Sequence, residues 1–219
     1  MCGRYSLTKP IEAMRQLFLF RGPLLNLAAR YNIAPSQHAP VVRLDSDGDR
    51  QLAMLRWGLI PSWSKDPKTS YSTINARAET VATKPAYRSA FKSRRCLVPA
   101  DGFYEWQKVG SRKQPYRITM KDDGLFAFAG LWERWERDGV IESFTIIVTE
   151  ANELMKPIHD RMPVILDPAD YAAWLDTKTP AADAQVLLRP FPSEALRAYP
   201  VSTRVNSPRN DDASVIEAA

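Results

Sequence analysis

The sequence predicts an α+β fold in which short, mainly antiparallel strands form a barrel-like core with a few peripheral helices. Three observations carry this. Seventeen prolines are spread through 219 residues, and proline interrupts helix interiors and central strands, so the elements must be short. Apolar, β-branched runs recur between Pro, Gly or Asp, the pattern of strands bounded by turns. No internal repeat, low-complexity tract or linker divides the chain, so a single domain over 1–219 is expected, with 206–219 as a polar tail. An OB-like or closed barrel accommodates such strands, although pattern alone does not separate barrel from sandwich.

Taken in chain order, Ile11–Phe20 reads as the first helix. Strands follow at Val41–Leu44 and Leu52–Trp57, then a helix near Tyr87–Phe91. Cys96–Val98 and Phe103–Trp106 are strands separated by an Asp101-Gly102 turn, and Tyr116–Met120, Leu125–Leu131 and Phe144–Thr149 continue the series. A helix is predicted to open after Thr149 and run through Met155. Val164–Leu166 is a strand. Pro168–Leu175 is a helix, because Asp167 can cap it and proline suits the first helical position.

Hydrophobic residues make up 45% of the chain and charged residues 25%, which excludes disordered, collagen-like and coiled-coil classes. No stretch approaches the roughly 18 apolar residues of a membrane span, and Met1-Cys2-Gly3-Arg4-Tyr5 lacks the form of a secretion signal. A cytoplasmic location is therefore expected. The two cysteines, Cys2 and Cys96, and two histidines, His38 and His159, do not make the clustered ligand set of structural zinc, and no metal is expected. A Cys2–Cys96 disulfide is disfavoured by a reducing cytosol and by a chain long enough to bury a core. The net charge of +5 is unevenly divided. Residues 1–120 hold 20 Lys+Arg against 8 Asp+Glu, and residues 121–219 hold 10 against 17. The basic half, which includes Arg4, Arg30, Arg43, Arg56, Lys65, Lys68 and Arg77, suits a polyanion such as DNA or RNA, or is simply a solvated surface.

Cys2 is the first chemical candidate. Aminopeptidases remove an initiator Met when the next residue is small, which would leave Cys2 with both a thiol and an α-amine. With reference pKa values of about 8.5 and about 8, both are available nucleophiles near neutrality, the thiolate more so beside a cation such as Arg4. A 1,2-aminothiol attacks one carbonyl carbon twice, first through nitrogen and then through sulfur, and closes a thiazolidine ring. Glu105 stands in Phe103-Tyr104-Glu105-Trp106, where aromatic neighbours desolvate a carboxylate and raise its pKa toward proton-transfer duty. Alternatively, it is an exposed strand residue pairing with Lys108 or Lys113. His159, beside Asp160 and Arg161, is an acid or base candidate or a hydrogen-bonded structural group. His38 has no acidic neighbour. Asn75 and Arg77 share one face of an extended segment, an amide and a guanidinium suited to phosphate or sugar oxygens, unless Asn75 caps a turn and Arg77 pairs with Glu79. Of the tryptophans, Trp57 is expected in the core and Trp63 at the surface, where it can stack on an unpaired base.

Taken together, Met1-Cys2-Gly3-Arg4-Tyr5, Tyr31-Asn32-Ile33-Ala34-Pro35, Trp57-Gly58-Leu59-Ile60-Pro61, Ile74-Asn75-Ala76-Arg77-Ala78-Glu79-Thr80, Cys96 through Trp106, Ala129-Gly130-Leu131-Trp132 and His159-Asp160-Arg161-Met162-Pro163 resemble the SOS-response-associated peptidase (SRAP) family over nearly the whole chain. That resemblance implies a sensor of abasic sites in single-stranded DNA. Cys2, freed of Met1, would form a thiazolidine with the ring-opened sugar. It further implies Glu105 as general acid/base, His159 as the proton donor that helps open the sugar, and Asn75 as the residue positioning the amine. Arg4 and Arg77 would clamp phosphate, Trp63 would stack, and Thr149 would meet the DNA backbone. Autoproteolytic removal of Met1 by Cys2, assisted by Glu105, is implied as well. No cofactor is expected, since every step is proton transfer or carbonyl addition. The expected partner is single-stranded DNA with abasic sites, with the protein monomeric and, in a bacterium, nucleoid-associated. Two alternatives of other classes are an N-terminal-cysteine hydrolase acting in trans and a non-covalent single-stranded-DNA-binding module.

Overall fold

The computed structural model describes residues 2–67, 73–137 and 139–219. Met1 and Lys68, each named above, lie outside the described residues. The elements run β1 (Tyr5–Leu7), α1 (Ile11–Phe18), β2 (Arg30–Ile33), β3 (His38–Leu44), β4 (Arg50–Trp57), β5 (Asn75–Arg77), α2 (Arg88–Ser93), β6 (Arg95–Ala100), β7 (Gly102–Val109), β8 (Arg112–Met120), β9 (Phe126–Glu136), β10 (Val140–Glu150), β11 (Arg161–Pro163), β12 (Ile165–Leu166), α3 (Tyr171–Leu175), α4 (Ala181–Val186) and β13 (Leu196–Pro200).

Strands β10, β4, β3, β6 and β9 pair in sequence, and β9 pairs again with β10, so five strands close a barrel. Five is odd, so alternating directions cannot close the ring without one like-directed pair. That pair is β4 with β10, while the other contacts around the ring are antiparallel. Closure removes the exposed edges that an open sheet of short strands would present. Gly130 faces the barrel interior, where a Cβ would come within 2.7 Å of Val98 Cγ2 and 2.9 Å of Cys96 Sγ. A second, five-stranded sheet of order β13-β8-β7-β1-β2 lies against the barrel. Tyr5 of β1 joins the two layers, its ring meeting Trp57 at 5.2 Å and Phe128 at 5.8 Å, while Trp57 stacks on Phe144 at 6.2 Å. The α+β, barrel-like class read from the sequence is the class observed.

Several elements differ from the sequence reading. The segment after Thr149 is not an α-helix but a series of turns over 153–158. Asn152 Oδ1 accepts the Met155 N–H at 3.0 Å and starts a single turn, Pro157 has no N–H to continue it, and pairing of β10 with β11 then takes over. The helix at Pro168–Leu175 is a 3-10 turn, Pro168–Asp170, followed by α3, with Asp167 capping as expected. The residues read as a polar tail return across the second sheet. Asp211 accepts the backbone N–H groups of Tyr31 and Asn32 at 2.5 and 2.9 Å, and Asn32 Nδ2 donates to the carbonyls of Val205, Ser207 and Asn210. Val205 and Val215 pack there against Tyr104.

Candidate active site

The site lies where the start of β1, the middle of β7 and the turn before β11 meet. Its first wall is set by backbone pairing. Tyr5 stands opposite Phe103, and the Tyr104 N–H donates to the Arg4 carbonyl at 3.0 Å, which runs Cys2–Arg4 alongside Glu105. The N-terminal strand is held by Asp101. Its Oδ1 accepts from Ser6 Oγ at 2.6 Å, and its Oδ2 accepts the Thr8 N–H at 2.6 Å and the Thr8 hydroxyl at 2.5 Å. Arg117 Nη2 lies 3.3 Å from the same carboxylate, and the missing Cβ of Gly102 makes room for that guanidinium.

Cys2 is fully buried and is a free thiol, as is Cys96. Its Sγ lies 4.0 Å from the Arg4 carbonyl. Burial first, and then the Glu105 carboxylate, push the thiol far above its ordinary pKa. This corrects the expectation of a thiolate favoured by Arg4. The Arg4 guanidinium donates to Asn32 Oδ1 at 2.9 Å and to the carbonyls of Val205 and Asn206 at 2.6 and 3.0 Å. Cys2 therefore starts as a thiol and needs a base.

Glu105 is the carboxyl beside that thiol. The residue is 2% exposed, and burial lifts its carboxyl to a pKa of about 7. A carboxyl at that value both accepts and returns protons at neutral pH. The exposed strand glutamate weighed as the alternative is excluded by this burial.

Asn75 sits on β5, which pairs in parallel with β10 at Ile146. Two further bonds fix its backbone region: Trp57 Nε1 donates to the Ile74 carbonyl at 3.0 Å, and the Tyr87 hydroxyl donates to the Asn75 carbonyl at 3.1 Å. The Asn75 amide donates to the Ile146 carbonyl at 3.4 Å, while its buried Oδ1 accepts no bond among the described residues. Unsatisfied buried acceptors are rare and mark a place where a donor is expected.

His159 is held by the loop joining β10 to β11, which Gln107 of β7 clips in place by donating to the Pro157 carbonyl at 2.9 Å. Its Nδ1 accepts the Arg161 N–H at 3.0 Å and lies 2.9 Å from Asp160 Oδ1. Burial lowers the imidazole pKa, against the pull of Asp160. The neutral ring that accepts at Nδ1 carries its proton on Nε2, a tautomer inferred from these bonds. His159 and Glu105 line one cleft of about 400 Å³ together with Trp106, Lys113 and Asn206.

The remaining sequence candidates are spread around this centre. Arg77 is exposed at the end of β5. The pairing weighed for it is taken by another residue, since Glu79 bonds to Arg161. Thr149 is buried near the end of β10, opposite Met162. Trp57 is buried and Trp63 is 62% exposed, as expected of each. His38 is exposed on β3, away from this cleft. Sequence reasoning did not single out Lys113 or Asn206. Lys113 reads locally as an ordinary hairpin charge, and Asn206 reaches the cleft from a segment 100 residues beyond Trp106 in sequence. Among the described residues no group of three or more His, Cys, Asp or Glu side chains could hold a metal ion, and no helix is long and apolar enough to cross a membrane.

The chain is 45% identical over 224 residues to the abasic site processing protein YoaM of Bacillus subtilis, covering all of this chain and 98% of that protein. It is 36% identical over 258 residues to the abasic site processing protein HMCES of Xenopus tropicalis, covering 96% of this chain and 76% of that one. Among solved structures, a protein of Bacteroides thetaiotaomicron superposes with a TM-score of 0.88 at 29% identity, with both chains fully covered. The model of the family described as SOS response associated peptidase (SRAP) matches residues 1–208, and the chain belongs to that family.

Proposed function

We propose that this protein recognises abasic sites in single-stranded DNA and joins itself to them through Cys2 once Met1 has been removed. The observation that carries the reading is a buried Cys2 beside a carboxyl of pKa about 7, that of Glu105. The relatives' description as abasic site processing proteins supports the same substrate.

In the proposed reaction the His159 Nε2–H proton passes to the sugar ring oxygen as the deoxyribose opens to its aldehyde, and the imidazole recovers a proton from the anomeric hydroxyl, so that the ring is neutral before and after. The Cys2 α-amine adds to the aldehyde carbon, and Asn75 Oδ1 accepts one of its N–H bonds and so aims the lone pair. Protonated Glu105 gives its proton to the departing hydroxyl, which leaves as water and yields the imine. The imine keeps its N–H proton as an iminium; Glu105, now a carboxylate, takes and keeps the thiol proton, and sulfur adds to the iminium carbon, which leaves a neutral ring N–H and Glu105 protonated as at the start. One water is lost overall and a thiazolidine is formed. Desolvation suits the first state of this cycle, since a thiol kept neutral until the base is ready resists oxidation and stray alkylation. Removal of Met1 is proposed as a self-cleavage in which the Cys2 sulfur attacks the Met1 carbonyl, Glu105 takes the thiol proton and protonates the leaving amine, and water hydrolyses the thioester. Arg77 and Arg4 are assigned to phosphate, Trp63 to base stacking and Thr149 to the backbone. The protein is proposed to act as a single-domain cytoplasmic monomer without a cofactor.

The test is to mix Met1-free protein with a single-stranded oligonucleotide carrying one abasic site and measure intact mass after denaturation. The expected adduct weighs protein plus DNA less one water and maps to Cys2. Absence of an adduct from verified Met1-free protein overturns the reading in favour of hydrolysis in trans or plain binding. Full adduct formation by Cys2→Ser would remove the thiazolidine from it.

A further inference from the structure

The cleft holding Glu105 and His159 has an outer rim that the proposed chemistry does not use. Lys113 of β8 and Asn206 of the C-terminal segment form that rim, on either side of the sequence from Trp106 of β7. Asn206 is not a loosely placed surface amide. The Trp106 indole N–H donates to its Oδ1 at 2.7 Å, and its carbonyl accepts from Arg4. Because the indole can only donate, the amide oxygen is fixed toward Trp106 and the NH2 group is turned away from it. That NH2 group meets no acceptor among the described residues. Lys113 is exposed and can likewise only donate. The rim thus presents a fixed amide donor and an exposed ammonium in the same cleft as Glu105 and His159.

We propose that Lys113 and Asn206 form a subsite for a phosphodiester next to the reacting sugar, with Asn206 donating a hydrogen bond to a phosphate oxygen and Lys113 pairing with its charge. Donor-only groups of this kind complement an anion rich in acceptors. This deepens the abasic-DNA reading and rests on it. It also gives the C-terminal segment a direct part in the site, since Asn206 is brought there by the bonds that Asn32 makes to Val205, Ser207, Asn210 and Asp211.

The experiment separates recognition from structural support by comparing Asn206→Asp with Asn206→Ala. Aspartate keeps an oxygen for the Trp106 indole but replaces the donor by a negative oxygen, whereas alanine loses both. If Asn206 only braces Trp106, aspartate is the milder change. If it binds phosphate, aspartate is the worse one. Binding is read by fluorescence anisotropy with a single-stranded oligonucleotide carrying a tetrahydrofuran abasic analogue, which has no aldehyde, and adduct rate is read with the true abasic strand. Asn206→Asp is expected to raise Kd about tenfold and Asn206→Ala about threefold. In both, the loss should fall on the half-saturating DNA concentration and not on the maximal adduct rate. Lys113→Gln should make the slope of log Kd against log salt shallower by about 0.7, the share of one single-strand phosphate contact. Aspartate binding as well as or better than alanine, together with an unchanged salt slope in Lys113→Gln, overturns the subsite. A parent protein that binds the analogue with these variant effects but forms no adduct overturns the covalent reading and leaves the subsite standing.

Discussion

Asp101 and Glu105 are two carboxylates four residues apart along the same stretch of chain, 3% and 2% exposed, the first read from the sequence as a turn residue and the second as a strand residue among aromatics. Their surroundings are opposite. Asp101 sits among Ser6, Thr8 and Arg117, a set of donors that includes a guanidinium. Glu105 sits where burial dominates and lifts its carboxyl to a pKa of about 7. Donors and a guanidinium satisfy the Asp101 oxygens, so that side chain serves as a brace between β1 and β7. Desolvation without equal compensation makes an exchangeable proton. The comparison shows that burial of an acid is not in itself a functional sign. What matters is how fully its charge is compensated, and here the more fully compensated acid braces the strand that carries Cys2 alongside the less compensated one.

The largest expected effect breaks the pair on the Glu105 side. Glu105→Gln keeps size and polarity but cannot carry a proton, so the adduct rate in single-turnover assays should fall by about 10²–10⁴-fold, the usual worth of a positioned acid/base. Its urea midpoint at pH 8 should not fall. Asp101→Ala should do the reverse. It leaves Arg117 buried against an absent partner, and breaking such a pair costs about 3–5 kcal/mol, read as a lower urea midpoint. The fraction that remains folded should still form adduct. If Asp101→Ala loses the reaction with its stability intact, the two acids share one role and the comparison fails.

How much of this was legible in the sequence follows from how local each cause is. The barrel strands were readable because apolar alternation is written along each of them. Their ends were cut short because the ladders run on through polar residues, as β8 does from Arg112 and β9 does to Glu136. Strand β1 was not read, since three residues carry almost no periodicity and its place is fixed by Asp101, some 95 residues away in sequence. The closing segment looked like a tail because Asn206–Ala219 is polar, yet those polar groups are bonded to Asn32, Tyr31 and Arg4. Of the candidate site residues, Cys2, Asn75, Glu105 and His159 could be singled out because each type can do the proposed chemistry. The protonated state of Cys2 could not, since it depends on which elements cover the thiol.

Acidity sharpens the comparison with a smaller effect and a definite sign. The folded chain holds the Glu105 proton more tightly than the unfolded chain, because the pKa rises from 4.5 to about 7. Below pH 4.5 the group is protonated in both states and costs nothing. As pH rises through the window from 4.5 to 7 the folded state must ionise a buried acid, so stability is lost, and above about 7 the full penalty of roughly 3 kcal/mol is present. Glu105→Gln removes it. Urea titrations of parent and variant should therefore agree near pH 4.5 and separate toward pH 8, with the variant the more stable. A constant difference across that range would mean that Glu105 does not change its proton affinity on folding.

The smallest effect tests the Asp101 side one donor at a time. Thr8 gives Asp101 Oδ2 both its backbone N–H and its hydroxyl. Thr8→Val removes the hydroxyl, keeps the shape and leaves the N–H in place. A hydrogen bond to a charged acceptor contributes about 1.5–3 kcal/mol, but the carboxylate retains Ser6, the Thr8 N–H and Arg117, and Thr8 itself is partly open to water, so a loss of about 1 kcal/mol in urea unfolding is expected. The adduct rate should stay at the parent's value, because the remaining bonds still hold β1 in register with β7 and Cys2 beside Glu105. A rate that falls in step with this one lost donor would show that Asp101 tunes the position of Cys2 directly, joining the brace and the reaction centre into a single unit.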